Sequence, residues 1–307
     1  MDACTRTAGP ADAGKLGEII EALDEGAVLC LHPGTYPLNA VVSRSLTIRG
    51  LGQPGDVILD GSGRASVLAI GGDKPRVTVE RLTITGGASR EGGGGIRQSG
   101  FGELLVREVI FTENRADGAG GGALLVAKGL ATLERCRVVD NRGGSGGALS
   151  ADYVGRLVVR ETLVAGNRGT SSAIYVHEGA ELTLEHATVA GNHADAAIEL
   201  FASTVQKPQV VIADSIVSGK VAINNGPRLP GVVKVARSLV DGEETGVSDG
   251  GGNQRAAAGF VPGDDPLAAF RPARNSPAAG IARPGSGLDL AGSPSGTTAG
   301  ALQPTEH

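Results

Sequence analysis

Two stretches, LLVREVIFTEN (104–114) and ATLERCRVVDN (131–141), decide the fold, because they are copies of one eleven-residue pattern. The pattern occurs seven times, and successive copies begin 27, 27, 26, 25, 28 and 23 residues apart. The other copies are VTVERLTITGG (77–87), LVVRETLVAGN (157–167), LTLEHATVAGN (182–192), VVIADSIVSGK (210–220) and VKVARSLVDGE (233–243). A nearly constant period of this length is typical of a solenoid in which each repeat is one coil.

Each copy predicts two short strands. Aliphatic residues alternate at its start, as at Leu104 and Val106, which indicates a strand with one buried face. A further buried position follows five residues later, at Phe111, and indicates a second strand beyond a tight corner. After a glycine-rich turn comes a third strand, as in GGALLV (121–126) and GGALSA (146–151). We therefore predict an all-β, right-handed parallel β-helix with three sides and coils of about 25 residues.

The two ends of the chain lack the repeat and are predicted to cap it, because an open solenoid exposes strand edges and apolar core. Near the N-terminus, four apolar residues at helical spacing predict a short helix, with Gly26 as its stop. These residues are Leu16, Ile19, Ile20 and Leu23. A region rich in proline and glycine ends the chain, and its last residues are either packed or mobile. The expected divisions are a cap (1–36), the coils (37–249) and a tail laid on the solenoid (250–307).

Three columns of the alignment predict ladders, because equivalent residues of a β-helix stack about 4.8 Å apart. One column is an amide ladder on a corner, formed by Asn114, Asn141, Asn167 and Asn192. Two neighbouring columns alternate in charge from coil to coil. They contain Glu80, Arg107, Glu134, Arg160 and Glu185, with Arg49 ahead of them, and Arg81, Glu108, Arg135, Glu161 and His186. We interpret both as fixing the register between coils, since a slip by one coil would bring like charges together.

Composition excludes several classes of partner. The formal net charge is −5 and no segment is rich in lysine and arginine, which argues against nucleic acid. No apolar stretch is long enough to span a membrane. Zinc-ligand clusters, calcium loops and phosphate loops are not found, so we predict no metal and no other cofactor. The oligomeric state stays open.

The three cysteines fall into two groups. Cys4 and Cys30 flank the helix-like segment, and they either pair, which would imply an oxidising compartment, or remain thiols. Cys136 occupies a column that holds Leu82 and Val109 in the preceding copies. We therefore predict that Cys136 is a buried and unreactive thiol.

Over nearly its whole length the chain resembles the pectin-lyase-like superfamily of right-handed parallel β-helices. Within that superfamily it is most similar to exported bacterial β-helix repeat proteins of the surface-anchored or polymorphic outer-membrane kind. The opening LHPGTY (31–36) and the turns TITGG and VAGN carry this resemblance. The tail carries its more specific part, at Asp265, Pro266, Ser276, Pro277, Asp289, Gly300 and Ala301, although the usual aromatic and acidic ending is missing.

The resemblance implies a place at the cell surface or in the extracellular space, although the N-terminus shows no basic and apolar export signal. It leaves the activity open, because the superfamily contains polysaccharide lyases, epimerases and hydrolases beside relatives without one. A fold of this kind hosts many functions, so the candidate site must decide between them.

One face of the third strand carries the candidate site. Its outward positions in successive coils are Arg97, Leu125, Ser150, Tyr175, Glu199 and Asn224, followed two residues later by Ser99, Ala127, Asp152, His177 and Phe201. The candidate catalytic residues on this face are Tyr175, His177, Asp152, Arg97 and Glu199. A uronate-processing enzyme needs such groups, because a cation neutralises the sugar carboxylate while a base and an acid move protons. This set is similar in residue type to β-helix alginate lyases and epimerases.

Two functions follow from these observations. The first is an exported, non-catalytic scaffold that interacts with a polysaccharide or another cell-surface component, because mixed polar residues also occur on any solvated strand face. The second is a polysaccharide-active enzyme, namely a uronate lyase, an epimerase or a glycoside hydrolase, that uses the Tyr175 and His177 face. The scarcity of aromatic residues, 3% with no tryptophan, argues against a large sugar platform.

Overall fold

The computed structural model describes residues 3–118, 120–202, 206–225, 232–243, 247–261, 267–283, 289–291, 293 and 296–304. These residues form an all-β parallel solenoid of about 8 turns with about 26 residues in each turn. The predicted fold class is therefore confirmed. No helix among these residues is long and apolar enough to cross a membrane.

Short strands alternate with turns along nearly the whole chain. A 3₁₀ helix (Pro10–Lys15) leads into helix α1 (Leu16–Glu21), and a second 3₁₀ helix (Ala268–Phe270) lies in the tail. The first strands are β1 (Arg6–Ala8), β2 (Ala27–Leu31), β3 (Gly34–Pro37), β4 (Ala40–Val42), β5 (Leu46–Gly50), β6 (Val57–Asp60), β7 (Leu68–Ile70), β8 (Arg76–Glu80), β9 (Thr83–Thr85), β10 (Ala88–Ser89), β11 (Ile96–Gln98), β12 (Glu103–Arg107), β13 (Ile110–Thr112) and β14 (Arg115–Ala116). They are followed by β15 (Leu124–Glu134), β16 (Arg137–Val139), β17 (Gly146–Arg160), β18 (Leu163–Ala165), β19 (Ser172–His177), β20 (Glu181–Glu185), β21 (Thr188–Ala190), β22 (Ala196–Ala202), β23 (Gln209–Ala213), β24 (Ile216–Val217), β25 (Val221–Asn225), β26 (Val232–Ala236), β27 (Leu239–Val240) and β28 (Val247–Asp249).

The strands stack in parallel into three faces. The first face contains β1, β2, β5, β8, β12, β20, β23, β26 and β28, with the second halves of β15 and β17, while β10 and β14 pair with each other in a separate two-stranded sheet. The second face contains β3, β6, β9, β13, β16, β18, β21, β24 and β27. The third face contains β4, β7, β11, β19, β22 and β25, with the first halves of β15 and β17. Strands β15 and β17 thus run without a break from the third face of one coil to the first face of the next.

Stacked aliphatic side chains fill the interior. On the first face the inward column is fully buried and contains Leu29, Ile48, Val79, Val106, Leu133, Val159, Leu184, Ile212 and Val235. Burying one such side chain stabilises the fold by about 1.5–3 kcal/mol. Phe111 and Tyr36 supply the largest buried side chains on the second face. The core thus needs few aromatic residues, in agreement with the composition.

The corner between the first and second faces has one conformation in seven successive coils. A non-glycine residue there has a φ between 48° and 55°, in the left-handed region. These residues are Arg81, Glu108, Arg135, Glu161, His186, Asp214 and Arg237. L-residues adopt this conformation at some cost in energy, which the stacked coils on either side offset. The second charged column of the sequence is therefore the corner of the solenoid.

The ladders predicted from the sequence are present. The amide Nδ2 of Asn114 donates to Oδ1 of Asn141, and the contact repeats from Asn141 to Asn167 and from Asn167 to Asn192, each at 3.0 Å. Three of these four side chains are buried; their Nδ2 atoms also donate to backbone carbonyls, and their Oδ1 atoms also accept from backbone N–H groups.

The first charged column also forms as predicted. Nε of Arg107 lies 3.1 Å from Glu134, and Nε of Arg160 lies 2.6 Å from Glu185. Arg49 pairs with Glu80 at the start of this column. In the corner column, Arg135 lies 2.9 Å from Glu108 and 3.9 Å from Glu161.

The N-terminal segment closes the first coil. Leu16 and Ile20 of α1 are buried against the core, and Leu23 follows them. Helix α1 ends at Glu21, before the predicted stop at Gly26, which instead adopts a left-handed turn conformation. A disulfide joins Cys4 to Cys30, which decides the alternative that the sequence left open. The segment 27–37, most of which we assigned to the cap, forms β2 and β3 and pairs within the coils.

The described part of the tail lies on the outer side of the second face. The backbone N–H of Ala301 donates to Thr188 Oγ1, and that of Gly300 donates to the carbonyl of Asp214, both at 2.9 Å. A Cβ on Gly300 would lie 2.7 Å from Thr188 Oγ1, so only glycine fits this contact. The stacking itself continues to Gln254, which bridges to Leu239. Of the tail residues that carry the family resemblance, Asp265 and Pro266 lie outside the described residues, as do 305–307 at the chain end.

Candidate functional site

Three neighbouring strands of the third face bring the central candidate residues together. His177 on β19 lies directly opposite Phe201 on β22, and Tyr175 lies opposite Glu199 in the same strand pair. On the other side of β19, Ser150 of β17 pairs with Tyr175. Alternation along each strand points these residues outward, because the intervening Val176 is buried in the core.

Asp152 and His177 form the closest polar contact of the site. Oδ1 of Asp152 lies 2.6 Å from Nδ1 of His177, and both side chains are about one quarter exposed. The hydrogen bond that His177 donates to Asp152 raises the pKa of His177, burial opposes this shift, and the charges of Asp152 and Glu178 support it. On its other side, Nε2 of His177 lies 3.6 Å from a carboxylate oxygen of Glu178. The imidazole thus lies between two carboxylates, an arrangement that favours the imidazolium.

Aromatic rings surround the imidazole on three strands. The Tyr175 ring stacks on His177 with centroids 5.7 Å apart, and the Phe201 ring lies 5.4 Å away in the next coil. Tyr153 approaches edge-on at 6.5 Å and is 58% exposed. We call this surface the His177 patch, which comprises Asp152, Tyr153, Tyr175, His177, Glu178, Glu199 and Phe201.

Tyr175 is held in its neutral form. Burial raises the pKa of its phenol, and the negative charges of Glu199, Asp152 and Glu178 raise it further. Glu199, opposite Tyr175, is itself buried. The phenol therefore stays protonated at neutral pH and can donate a hydrogen bond there.

Arg97 lies on the same face but outside the His177 patch. The outward column runs from Arg97 through Leu125 and Ser150 to Tyr175, so three strand spacings, roughly 14 Å, separate Arg97 from Tyr175. The guanidinium of Arg97 pairs instead with Glu91 in the preceding turn. Of the five candidate residues, four are therefore brought together and Arg97 is not.

The predicted end of the outward column is wrong. Glu199 lies opposite Ala222, while Asn224 lies opposite Phe201, two residues further along β25. The copy before β25 has Gly219 and Lys220 in place of the usual Gly-Asn turn, and the third strand begins directly after them. The shorter turn moves the whole strand by two residues relative to the alignment.

Glu178 and Tyr153 were not among the sequence candidates. Both have a φ of 54°, so each lies at a sharp turn that returns its side chain toward the imidazole. Alternation along a strand does not extend through such a turn. For Glu178 the sequence offers one signal, the turn His177-Glu178-Gly179, which by itself is typical of an ordinary corner.

The described residues contain no group of three or more histidine, cysteine, aspartate and glutamate side chains arranged to hold a metal ion. The His177 patch presents three aromatic rings, one imidazole and several carboxylates.

Comparison with known proteins identifies the family. The family model described as right handed beta helix region matches residues 55–211. The chain belongs to the right-handed β-helix family. This β-helix protein is similar in structure to the pectate lyase Pel9A, with a TM-score of 0.63 and 13% identity, covering 99% of this chain and 97% of that one. The fold implied by the resemblance is thus confirmed, because this likeness shows the pectin-lyase-like fold and nothing further.

More distant structures of this β-helix protein's fold include a carrot pectin methylesterase, at 9% identity and a TM-score of 0.48, which covers 88% of this chain and 94% of that one. A mannuronic acid specific polysaccharide family 6 lyase from the human gut microbiota has 13% identity and a TM-score of 0.32, covering 87% and 85%. No curated protein sequence matches the chain.

Proposed function

We propose that this β-helix protein is an exported scaffold that binds a polysaccharide at the His177 patch without cleaving it. The observation that carries the proposal is the group of rings around His177, contributed by three neighbouring strands and flanked by carboxylates. Sugar rings present C–H groups on their faces and hydroxyls on their edges. The patch is complementary to both.

The aromatic rings supply the apolar part of this surface. Tyr153 is largely exposed and Tyr175 and Phe201 are half-buried, so a pyranose can lie on them without a change in the core. Carboxylates of Asp152 and Glu178 accept hydrogen bonds from hydroxyl groups at the edge. Such a mixed surface is typical of sites that recognise neutral sugars by stacking and hydrogen bonding.

The disulfide supports export. Bonds such as Cys4–Cys30 form and persist in oxidising compartments and are rare in the cytosol. A rigid solenoid with a stapled first coil suits a protein that works outside the cell.

Binding is favoured over cleavage by the arrangement of charges. A uronate lyase needs a cation beside the sugar carboxylate, and the candidate cation Arg97 is three strands from Tyr175. Tyr175 is poorly suited to act as a general base, because its raised pKa keeps the phenol protonated. The raised pKa of His177 likewise reduces the neutral imidazole available to accept a proton.

A polysaccharide-active enzyme is the second candidate, and the Asp152–His177 contact favours it. An imidazole held in one orientation by a carboxylate is a common general acid or base. In that case the imidazolium of His177 would act as the general acid that protonates the leaving oxygen. Glu178 or Glu199 would act as the general base.

Calorimetric titration with a set of neutral and acidic oligosaccharides tests the proposal. We expect binding by the native protein and a loss of about ten-fold for Tyr175→Ala, since one stacked ring contributes up to about 1.4 kcal/mol. Phe101→Ala is the matched control, because Phe101 is an exposed ring outside the patch. Equal losses in both variants would contradict the proposal, and release of unsaturated products or reducing ends would favour the enzyme.

A further inference from the structure

We propose that a cleft around Arg97 binds the anionic group, a carboxylate or a sulfate ester, of an acidic polysaccharide. The cleft lies on the third face, nearer the N-terminus than the His177 patch, and has a volume of about 310 Å³. We call it the Arg97 cleft. Its charged residues are Arg64, Arg90, Glu91 and Arg97. This inference rests on the proposed function, because it takes the ligand to be a saccharide.

The walls of the cleft are two turns that project beside the strands. Nδ2 of Asn39 donates to the carbonyls of Gly61, Ala65 and Ser66, which fixes the turn that carries Arg64. The hydroxyl of Ser89 accepts a hydrogen bond from the N–H of Glu91 in the second turn. Small side chains form the floor, where Ala69 occupies the column of Arg97 in the preceding coil. The small floor leaves room between the two turns.

The charge of the cleft is positive. Three arginines face one carboxylate, and that carboxylate, Glu91, is paired with Arg97. Within the described residues, neither Arg64 nor Arg90 takes part in an ion pair, so two guanidinium groups are left for an external anion. This concentration of positive charge contrasts with the net formal charge of −5 on the whole chain.

Arg97 also has an unused donor. Its Nε atom is buried and has no hydrogen-bond partner among the described residues. A buried N–H without a partner is costly, so Arg97 gains from any rearrangement of its side chain that gives Nε an acceptor. The planar guanidinium suits a carboxylate or a sulfate, which can accept two parallel hydrogen bonds.

The position of the cleft relates it to the His177 patch. Arg97 and Tyr175 share one outward column, roughly 14 Å apart along the axis of the solenoid. A short oligosaccharide laid along the third face reaches both. The patch, rich in carboxylates, would repel an acidic sugar, so the acidic residue of the chain binds at the arginines and an uncharged ring stacks at the patch.

Glu91 acts as an internal competitor for the ligand. Its carboxylate occupies the guanidinium of Arg97 in the free protein, and an arriving anion must displace it. Removing the carboxylate therefore leaves Arg97 free to bind the anion, whereas removing the guanidinium of Arg97 weakens the site. The two substitutions should change affinity in opposite directions, which a general loss of structure would not do.

The test is titration of the full chain with a partly methyl-esterified oligogalacturonate, a sulfated carrageenan oligosaccharide that has no carboxylate, and an uncharged cello-oligosaccharide, at two salt concentrations. For one of the two acidic probes we expect Arg97→Gln to weaken binding about ten-fold and to reduce its salt dependence, and Glu91→Gln to strengthen it several-fold. The responding probe identifies the anion as carboxylate or sulfate. Arg97→Lys keeps the positive charge but loses the planar guanidinium that can donate two parallel hydrogen bonds, so it should retain part of the affinity.

Arg76→Gln is the matched control, since Arg76 is an exposed arginine on the first face that pairs with Glu103. The inference is overturned if Arg97→Gln and Arg76→Gln weaken the acidic probes equally, or if Glu91→Gln weakens them. Loss of the uncharged probe in Tyr175→Ala, with no effect of Arg97→Gln on any probe, would leave the proposed function standing and refute the Arg97 cleft. Failure of the native protein to bind any probe would refute both.

Discussion

Oδ1 of Asp152 and Nδ1 of His177 lie 2.6 Å apart across two neighbouring coils of the third face. Register alone puts them there, because Ser150 pairs with Tyr175 two residues earlier in each strand. The contact raises the pKa of His177 and orients its ring between Tyr175 and Phe201. The electrostatics of the His177 patch therefore depend on this pair.

Asp152→Asn should lower the pKa of His177, which NMR titration of the imidazole signals measures directly. Because the folded-state pKa is raised, the pair contributes stability in full below the ordinary imidazole pKa of about 6.5, and loses it as pH rises through the folded value. Asp152→Asn should thus cost about 1 kcal/mol at mildly acidic pH and little at alkaline pH. A cost that does not change with pH would contradict this account.

The asparagine ladder should be most sensitive in its buried middle. Asn141 accepts hydrogen bonds from the backbone and the amide of Asn114, and donates to Phe111 and Asn167. Asn141→Ala leaves several of these groups without a partner, so we expect a loss of about 3 kcal/mol in urea unfolding. Asn192→Ala, at the half-buried end of the ladder, should cost clearly less because water replaces the amide. Equal costs would show that the ladder does not act through buried hydrogen bonds.

The tail should detach in acid through Asp214. Burial opposes ionisation of this carboxyl, but hydrogen bonds from Arg237 and from the N–H of Arg283 lower its pKa. Its contribution to stability is present above the ordinary aspartate pKa of about 3.9 and is lost as pH falls through the lower folded value. Asp214→Asn should mimic this loss near neutral pH and speed hydrogen exchange at Gly300 and Ala301.

Asp195→Asn, at an exposed position, is the control for the tail and should leave exchange at both amides unchanged. Slow exchange at Gly300 in Asp214→Asn would mean that the apolar contacts of the tail suffice to hold it.

Cys136 should resist alkylation in the folded protein. Burial raises its pKa to about 12, so little thiolate exists at pH 8 and the reagent has no access to the sulfur. Mass spectrometry after iodoacetamide treatment should show modification only on unfolding in denaturant. Rapid labelling of the native protein would contradict the packing of this column.

The solenoid was predictable because its information is periodic. The alternation seen at Leu104 and Val106 repeats in each coil. The asparagine and charged columns also repeat from coil to coil, because each side chain contacts the equivalent side chain of the next coil. A column in the alignment therefore corresponds to a row of contacts in space, and these contacts can be predicted from the repeat alone.

The site was predictable only in part, since it depends on turns that interrupt the period. The shortened turn at Gly219 moved Asn224 away from the column of Glu199. Left-handed residues at Tyr153 and Glu178 brought two further side chains to His177. Arg97 shows that two residues on one face of the solenoid need not be close together, because they can lie in coils that are far apart along its axis.

The most direct test of the central claim follows the histidine ring signals by NMR while an oligosaccharide is added to the native protein. The account predicts saturable shifts at His177 with no shift at His186 or His193, which lie on other corners of the solenoid. Tyr175→Ala should weaken the same titration about ten-fold. Binding that moves His186 or His193 and leaves His177 unchanged would contradict a polysaccharide site at the His177 patch.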